Sequence, residues 1–233
     1  MSSSVFGRVL HLIHRSIYVY TSFFSRVGLN SFLSKQVEEI NNDIGSYSKV
    51  LNIGSGGFVA NSVSKVKSNC VLNIDLDPDR NPDMVVDVCE MNRFSDGEFD
   101  VVIMSEVLEH VKTPHLAINE IYRVLREGGK LILTAPFLFE MHDRPHDYYR
   151  FTKHGLEYLL SDFSQVDIES RNSYFDVMVV LGMRLFLSDK LTDKAIATIF
   201  IIFISGLYPA IWFINRLVKS DASTTGYMVN CKK

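Results

Sequence analysis

Residues 49–57 read KVLNIGSGG. An apolar run from Lys49 to Ile53 gives way at once to glycines, the pattern of a buried strand that ends in a tight turn. Glycines placed there let the backbone approach a ligand closely. Two further runs, CVLNIDLD (70–77) and DMVVDV (83–88), also read as strands and end in acids. FDVVIMSEVLEHV (99–111) has strand character in its first half and helical character in its second.

The remaining segments extend the alternation. In TPHLAINEIYRVLREGG (113–129), Leu116, Ile118, Ile121, Tyr122 and Leu125 follow helical spacing. Thr113 is placed to cap this helix before Pro114, and Gly128-Gly129 to end it. KLILTAPF (130–137) is a fifth strand, and TKHGLEYLLSDF (152–163) a short helix with Thr152 as its cap and Phe151 as a hydrophobic staple. QVDIESR (165–171) and GYMVNCKK (226–233) are further strands. Strands alternating with helices predict an α/β, doubly wound and mostly parallel sheet.

In such sheets ligands bind at the C-terminal ends of the strands. Gly54 to Gly57, Asp75 with Asp77, Asp87, Ser105-Glu106 and the loop from Pro136 to Arg150 are expected there. Asp75 lies about twenty residues beyond the glycine turn, where a carboxylate can accept hydrogen bonds from two ribose hydroxyls. The turn lacks G-x-G-x-x-G spacing, which disfavours NAD.

The segments VLNIGSGG, NIDLDPD, VVDVCEMNRFSDGEFDVVIMSEVLEHV and LREGGKLILTAPF together resemble the class I (Rossmann-like) S-adenosylmethionine-dependent methyltransferases. The likeness is to the broad subfamily often encoded among bacterial surface-polysaccharide genes, and it covers Lys49 to about Phe163. It implies S-adenosylmethionine as cofactor and a Rossmann-like sheet whose last strand is antiparallel. It also implies that Asn52, Gly54, Ser55 and Gly56 lie at the cofactor, with the two glycines beside its methionine part. Asp75 would hold the ribose and Asp87 the adenine amino group. Glu106 would stand near the cofactor and His110 just beyond, on the acceptor side. The family's usual acid in the first strand is Asn52 here, and the turn's usual third glycine is Phe58.

The loop HDRPHDYYRFT (142–152) follows the fifth strand and is expected to form part of the acceptor site. A sugar hydroxyl is a poor nucleophile, so a general base helps, and histidine titrates near working pH. His146 is the expected base, with Asp147 or Asp143 orienting its ring and His142 in a lesser catalytic role. Arg144 and Arg150 could hold an anionic group. Tyr148 and Tyr149 could stack on a sugar face. His142 and His146 are spaced i, i+4, but Pro145 argues against the helix that would aim both at one metal, so no metal is expected. His115 reads as a helix-surface residue.

Composition narrows the classes. The chain has 233 residues, a formal net charge of -3 and 47% hydrophobic residues, and no basic footprint suggests nucleic acid. Its 3 cysteines form no CxxC pair and no zinc spacing, as in a cytoplasmic protein with reduced thiols. The N-terminus shows no secretory pattern.

The two ends are apolar. From Met1 to Val37 there is no acid, while Arg8, Arg15, Arg26 and Lys35 are basic. Arg8, His11, Arg15, Ser22 and Arg26 recur at helical spacing, with Val9, Leu10, Ile13, Ile17, Tyr20 and Phe24 largely elsewhere: a basic amphipathic helix suited to a membrane surface. AIATIFIIFISGLYPAIWFI (195–214) is long enough to span a bilayer. A final strand follows it, however, and Gly206 and Pro209 interrupt it, so two short apolar helices dipping into one leaflet are expected. The domain reading is therefore a basic segment, 1–37, then a methyltransferase domain, 38–233, with an apolar helical insertion at 174–222.

The resemblance implies a methyltransferase acting on a glycan or lipid-linked saccharide, and the apolar ends place it on the cytoplasmic side of the inner membrane. The alternatives are a membrane lipid or quinone precursor as acceptor, or a non-catalytic scaffold of the same fold.

Overall fold

The computed structural model of the protein describes residues 15–21, 25–43, 49–56, 61–67, 70–218 and 220–233. The chain divides into two compact units. One comprises Leu29–Arg171 with Gly226–Lys233, the other Asn172–Thr225 with residues up to Gly28.

The first unit is built on a seven-stranded sheet. Its strands are β1 (Lys49–Ile53), β2 (Cys70–Asp75), β3 (Met84–Val85), β4 (Phe99–Ser105), β5 (Leu125–Pro136), β6 (Gln165–Ser170) and β7 (Gly226–Lys232). The order is β3-β2-β1-β4-β5-β7-β6. The pairs from β3 to β5 are parallel, and β7 runs antiparallel between β5 and β6.

The central strands are buried on both faces, which is why they read as near-continuous apolar runs. Alternate residues feed two cores. Leu51, Ile53, Val102, Met104, Leu131 and Leu133 face one, under α2 (Pro114–Val124) and α3 (Lys153–Leu159). Val50, Val101, Ile103 and Ile132 face the other, under α1 (Val27–Asp43). The boundary expected after Val37 falls inside α1, where Leu29, Phe32, Leu33, Val37 and Ile40 are all buried.

Three local expectations change. α2 stops at Val124, four residues before Gly128, because Leu125 already pairs with Phe99 of β4. Gly128, at φ +73°, instead lies in the bulge that lets β5 re-register from Leu125 to Lys130. Thr113 occupies the N-cap position of α2 but makes no side-chain cap; its hydroxyl lies 3.3 Å from the Cys89 sulfur. Beyond β4 there is only a 3-10 turn, Leu108–His110, not a helix. Thr152 does cap α3, its hydroxyl accepting from the Gly155 amide at 3.0 Å.

The second unit contains α4 (Tyr174–Arg184) and α5 (Leu191–Leu217). α5 is one helix of 27 residues, not two, with Pro209 inside it. α4 starts in a capping box of Ser173 and Asp176. The two helices pack through Val179, Met183, Phe186, Ala197, Ile201 and Ile204. Gly182 matters there: a Cβ on it would overlap the Phe200 ring. The rest of α5 is apolar and exposed, including Ile199, Ile202 and Phe203. Residues 15–21 are helical, with Arg15 and Tyr20 exposed; the rest of the expected N-terminal amphipathic helix lies outside the described residues, apart from Ser25 and Arg26.

Candidate active site

The C-terminal edge of the sheet gathers the expected residues. Gly54 leaves β1 at φ +91°, and a Cβ there would lie 2.5 Å from the Val107 side chain. Only glycine fits both the backbone angle and the space. A Cβ on Gly56 would lie 2.8 Å from the Arg80 guanidinium. Asp75 ends β2 and shapes the turn: one carboxylate oxygen accepts from the Ser55 amide at 2.9 Å, the other from the Asp77 amide at 3.0 Å. A carboxylate offers about four acceptor positions, so room remains for a ligand hydroxyl.

Asn52 is fully buried. Its amide nitrogen donates to the Gly54 carbonyl at 3.2 Å and to Asn73 Oδ1 at 3.0 Å, leaving its own Oδ1 buried with no hydrogen-bond partner among the described residues. An orphaned acceptor of this kind costs about 1–3 kcal/mol unless a ligand donor meets it. Asp87 is exposed just past β3 and accepts from the Cys89 amide at 2.8 Å. The glycine cradle, the acid at the end of β2 and the orphaned oxygen fit S-adenosylmethionine, whose ribose hydroxyls and amino group are donors. Phe58 lies outside the described residues.

Glu106 stands at φ +54° after β4, but its carboxylate is already engaged. It pairs with Arg171 and accepts from the Thr134 hydroxyl at 2.9 Å. Burial pushes its carboxyl up, yet Arg171, Thr134 and His142 together hold it below the ordinary range. It is a brace between β4, β5 and the end of β6, a role the sequence did not suggest because Arg171 is distant along the chain.

The loop after β5 is organised differently from expectation. Asp147 does not orient His146. Its carboxylate is bound by Arg150 at 2.6 and 2.7 Å and accepts from the His142 amide at 2.9 Å. Arg150 holds that carboxyl down at about 2. Arg150 also donates to the Phe139 and Glu140 carbonyls, so its guanidinium folds the loop and is not free for an acceptor. Asp143 does not orient His146 either: its carboxylate faces Arg80 at 3.7 Å and His110 at 4.0 Å. His146 is exposed and meets the Tyr148 hydroxyl at 3.0 Å. Tyr149 stacks on Phe151 and donates to the Lys112 carbonyl, which ties it to the scaffold. Arg144 is exposed and precedes a cis proline. His115 is exposed on α2, as expected.

His142 turns inward, towards two residues that sequence reasoning left apart. Its ring lies edge-on to that of His110, with centroids 5.0 Å apart. Both Nε2 atoms face the Glu109 carboxylate, at 3.6 Å from His142 and 3.7 Å from His110. Glu109 has no exposed surface, and among the described residues neither of its oxygens has a hydrogen-bond partner. Burial raises its carboxyl above the ordinary range. His142 is pushed down by burial but raised on balance by Glu109, the Glu140 carbonyl and Asp147. The Tyr148 and Tyr149 amides both donate to the Glu109 carbonyl, which pins the loop to this turn. Glu109 was the residue missed. Its signal was present: an acid directly before a histidine, just past a strand end.

The cluster stands beside the glycine turn. Val107 touches the space over Gly54, and Arg80 runs from Gly56 to Asp143.

Comparison with known proteins supports the cofactor reading. A family model described as a methyltransferase domain matches residues 51–133. A ubiquinone biosynthesis O-methyltransferase from Pseudomonas savastanoi pv. phaseolicola is 25% identical over 167 residues, 58% of this chain and 67% of that protein. The structure of a SAM-dependent methyltransferase from Archaeoglobus fulgidus superposes with a TM-score of 0.54 at 16% identity, covering 86% of this chain and 94% of that one. The cyclase SpnF superposes at 0.52 with 20% identity, covering 86% and 79%. Structural likeness at this identity establishes the fold alone. The family match does more, because it falls on the half of the sheet that carries the glycine turn, Asp75 and the Glu109 turn, and it supports S-adenosylmethionine-dependent methyl transfer on a class I, Rossmann-like fold.

Proposed function

We propose that the protein O-methylates a hydroxyl of a lipid-linked saccharide at a membrane surface. The observation that carries this reading is the convergence of Glu109, His110 and His142 beside the glycine turn. A hydroxyl acceptor must lose its proton as it attacks, and this cluster offers a buried carboxylate and two imidazoles where the acceptor would stand. When bound, S-adenosylmethionine would supply an electrophilic methyl on a sulfonium, and its transfer to the acceptor oxygen would leave S-adenosylhomocysteine. The chain's own part is to hold the ribose at Asp75, receive the donor end against Asn52 and Gly54, and take up the acceptor proton at the cluster.

The membrane half of the proposal rests on α5. Its exposed apolar residues form an unusually large surface for a soluble protein. Its 27 residues are about 40 Å long, enough to span. Yet β6 and β7 pair directly, Ser170 with Tyr227, so the chain leaves and re-enters the sheet at the same place. α4, at 11 residues or about 16 Å, is too short to make a second crossing. The apolar insertion therefore enters and leaves the membrane on one side.

A quinone precursor is the second reading, favoured by the name of the Pseudomonas relative and equally suited to an apolar docking face. The deciding experiment incubates the purified protein with methyl-labelled cofactor and either lipid-linked saccharides or polyprenylated phenols in vesicles. Label in the saccharide is expected. Label in the phenol alone moves the assignment to the second reading. No cofactor binding by calorimetry leaves only a scaffold.

A further inference from the structure

We propose that Glu109, His110 and His142 form a binding site for one divalent cation of the Zn²⁺ type. The inference deepens the reading above and rests on it only for what the cation would do in turnover. The cluster presents three acceptors with no donor between them. The His110 Nδ1 lies 2.7 Å from the His146 carbonyl, and the His142 Nδ1 lies 3.2 Å from the Glu140 carbonyl. A carbonyl can only accept, so each Nδ1 carries a proton, and the neutral form of each ring turns an Nε2 lone pair inward. Backbone carbonyls that orient histidines in this way are the usual outer shell of a metal site.

Those two nitrogens face a carboxyl that is buried and that, among the described residues, accepts no hydrogen bond on either oxygen. A buried carboxyl whose oxygens accept no hydrogen bond is unfavourable, and a cation held among these three groups would satisfy it. The spacing suits a metal better than hydrogen bonds. Nitrogen-to-oxygen distances of 3.6 and 3.7 Å are too long for hydrogen bonding. Tetrahedral zinc with bonds of about 2.0–2.1 Å sets its ligand atoms about 3.4 Å apart. The three ligand atoms lie within 4.8 Å of one another, so a small inward shift completes the set. Two imidazoles and one carboxylate are a borderline donor set that suits zinc and leaves one position open. An acceptor hydroxyl bound at that position would give its proton to solvent water at neutral pH, as metal-bound water does, in place of direct transfer to the cluster.

The test uses the full chain, stripped with a chelator and titrated with Zn²⁺ against a chromophoric competitor. Co²⁺ absorption reports the geometry. One equivalent should bind, with a tetrahedral Co²⁺ spectrum. Loss of an outer-shell partner alone weakens metal sites about 10–100-fold, so Glu109→Gln and His142→Ala should each weaken binding by at least about 100-fold. Circular dichroism checks that both variants fold. His146→Ala, which keeps its backbone carbonyl, should bind as the wild type does. Failure of the wild type to bind one equivalent overturns the proposal, as does binding that survives both ligand variants. A stripped protein that methylates its acceptor at full rate also overturns it, while leaving the O-methyltransferase reading intact. Stoichiometric binding lost in the variants establishes the site whichever acceptor is found.

Discussion

Arg171→Met removes one partner from an internal ion pair and leaves the other behind. The Arg171 side chain is 2% exposed and the Glu106 side chain 21%. Breaking a buried pair in this way costs about 3–5 kcal/mol, because the remaining charge is uncompensated. Water reaches part of Glu106, and the Thr134 hydroxyl still donates to it, so the low end, about 3 kcal/mol, is expected. For a chain of this size each kcal/mol moves the melting temperature by about 2–4 °C, which gives a fall of about 6–12 °C. Adding Glu106→Gln removes the stranded charge while keeping an acceptor for Thr134, and should recover most of the loss. Thermal unfolding of the wild type, the single variant and the double variant at neutral pH measures both steps. A single variant melting within 2 °C of the wild type refutes the assignment of Glu106 as a charged brace. So does a double variant no more stable than the single.

Asp75→Ala should weaken binding of S-adenosylhomocysteine at least about tenfold, since charge-assisted hydrogen bonds contribute about 1.5–3 kcal/mol each; equal affinity in a folded variant, by calorimetry, refutes the ribose assignment. Gly54→Ala should cost about 2–6 kcal/mol, combining a positive φ with the clash against Val107, and Val107→Ala added to it should relieve only the clash, as chemical denaturation would reveal. Ile202→Glu with Phe203→Glu should abolish flotation with anionic vesicles and leave cofactor affinity unchanged; undiminished flotation argues against α5 as the anchor. Burial pushes the Cys231 thiol up to about 12, so at pH 8 the folded protein should resist iodoacetamide at Cys231, which peptide mass spectrometry would check against the unfolded chain.

Much of the sheet could be read from local pattern. KVLNI, CVLNID and FDVVIMS are strands because a parallel sheet covered on both faces needs continuous apolar runs, and Gly54 follows because the chain must turn sharply at a ligand edge. Asp75 was legible for the same reason: its place depends only on the distance from one strand end to the next. The end of α2 was not. Gly128 is the stronger local stop, but pairing of Leu125 with Phe99 claims the chain four residues earlier. α5 runs through Gly206 and Pro209 as one helix, so a local interruption in sequence did not divide it.

The site divides along the same line. The residue types of the loop after β5, its position and its polarity all follow from the sequence. The partnerships do not, because they join residues brought near by the sheet and not by the chain. Asp147 turned to Arg150 three positions on and to the His142 amide, which left His146 to solvent. His142 reached Glu109 and His110 across the edge between β4 and β5, where a 3-10 turn in place of a helix set their side chains inward. Strand pattern and turn chemistry act over a few residues and can be read from sequence; which carboxylate meets which imidazole depends on sheet order and loop closure, which only the folded chain supplies.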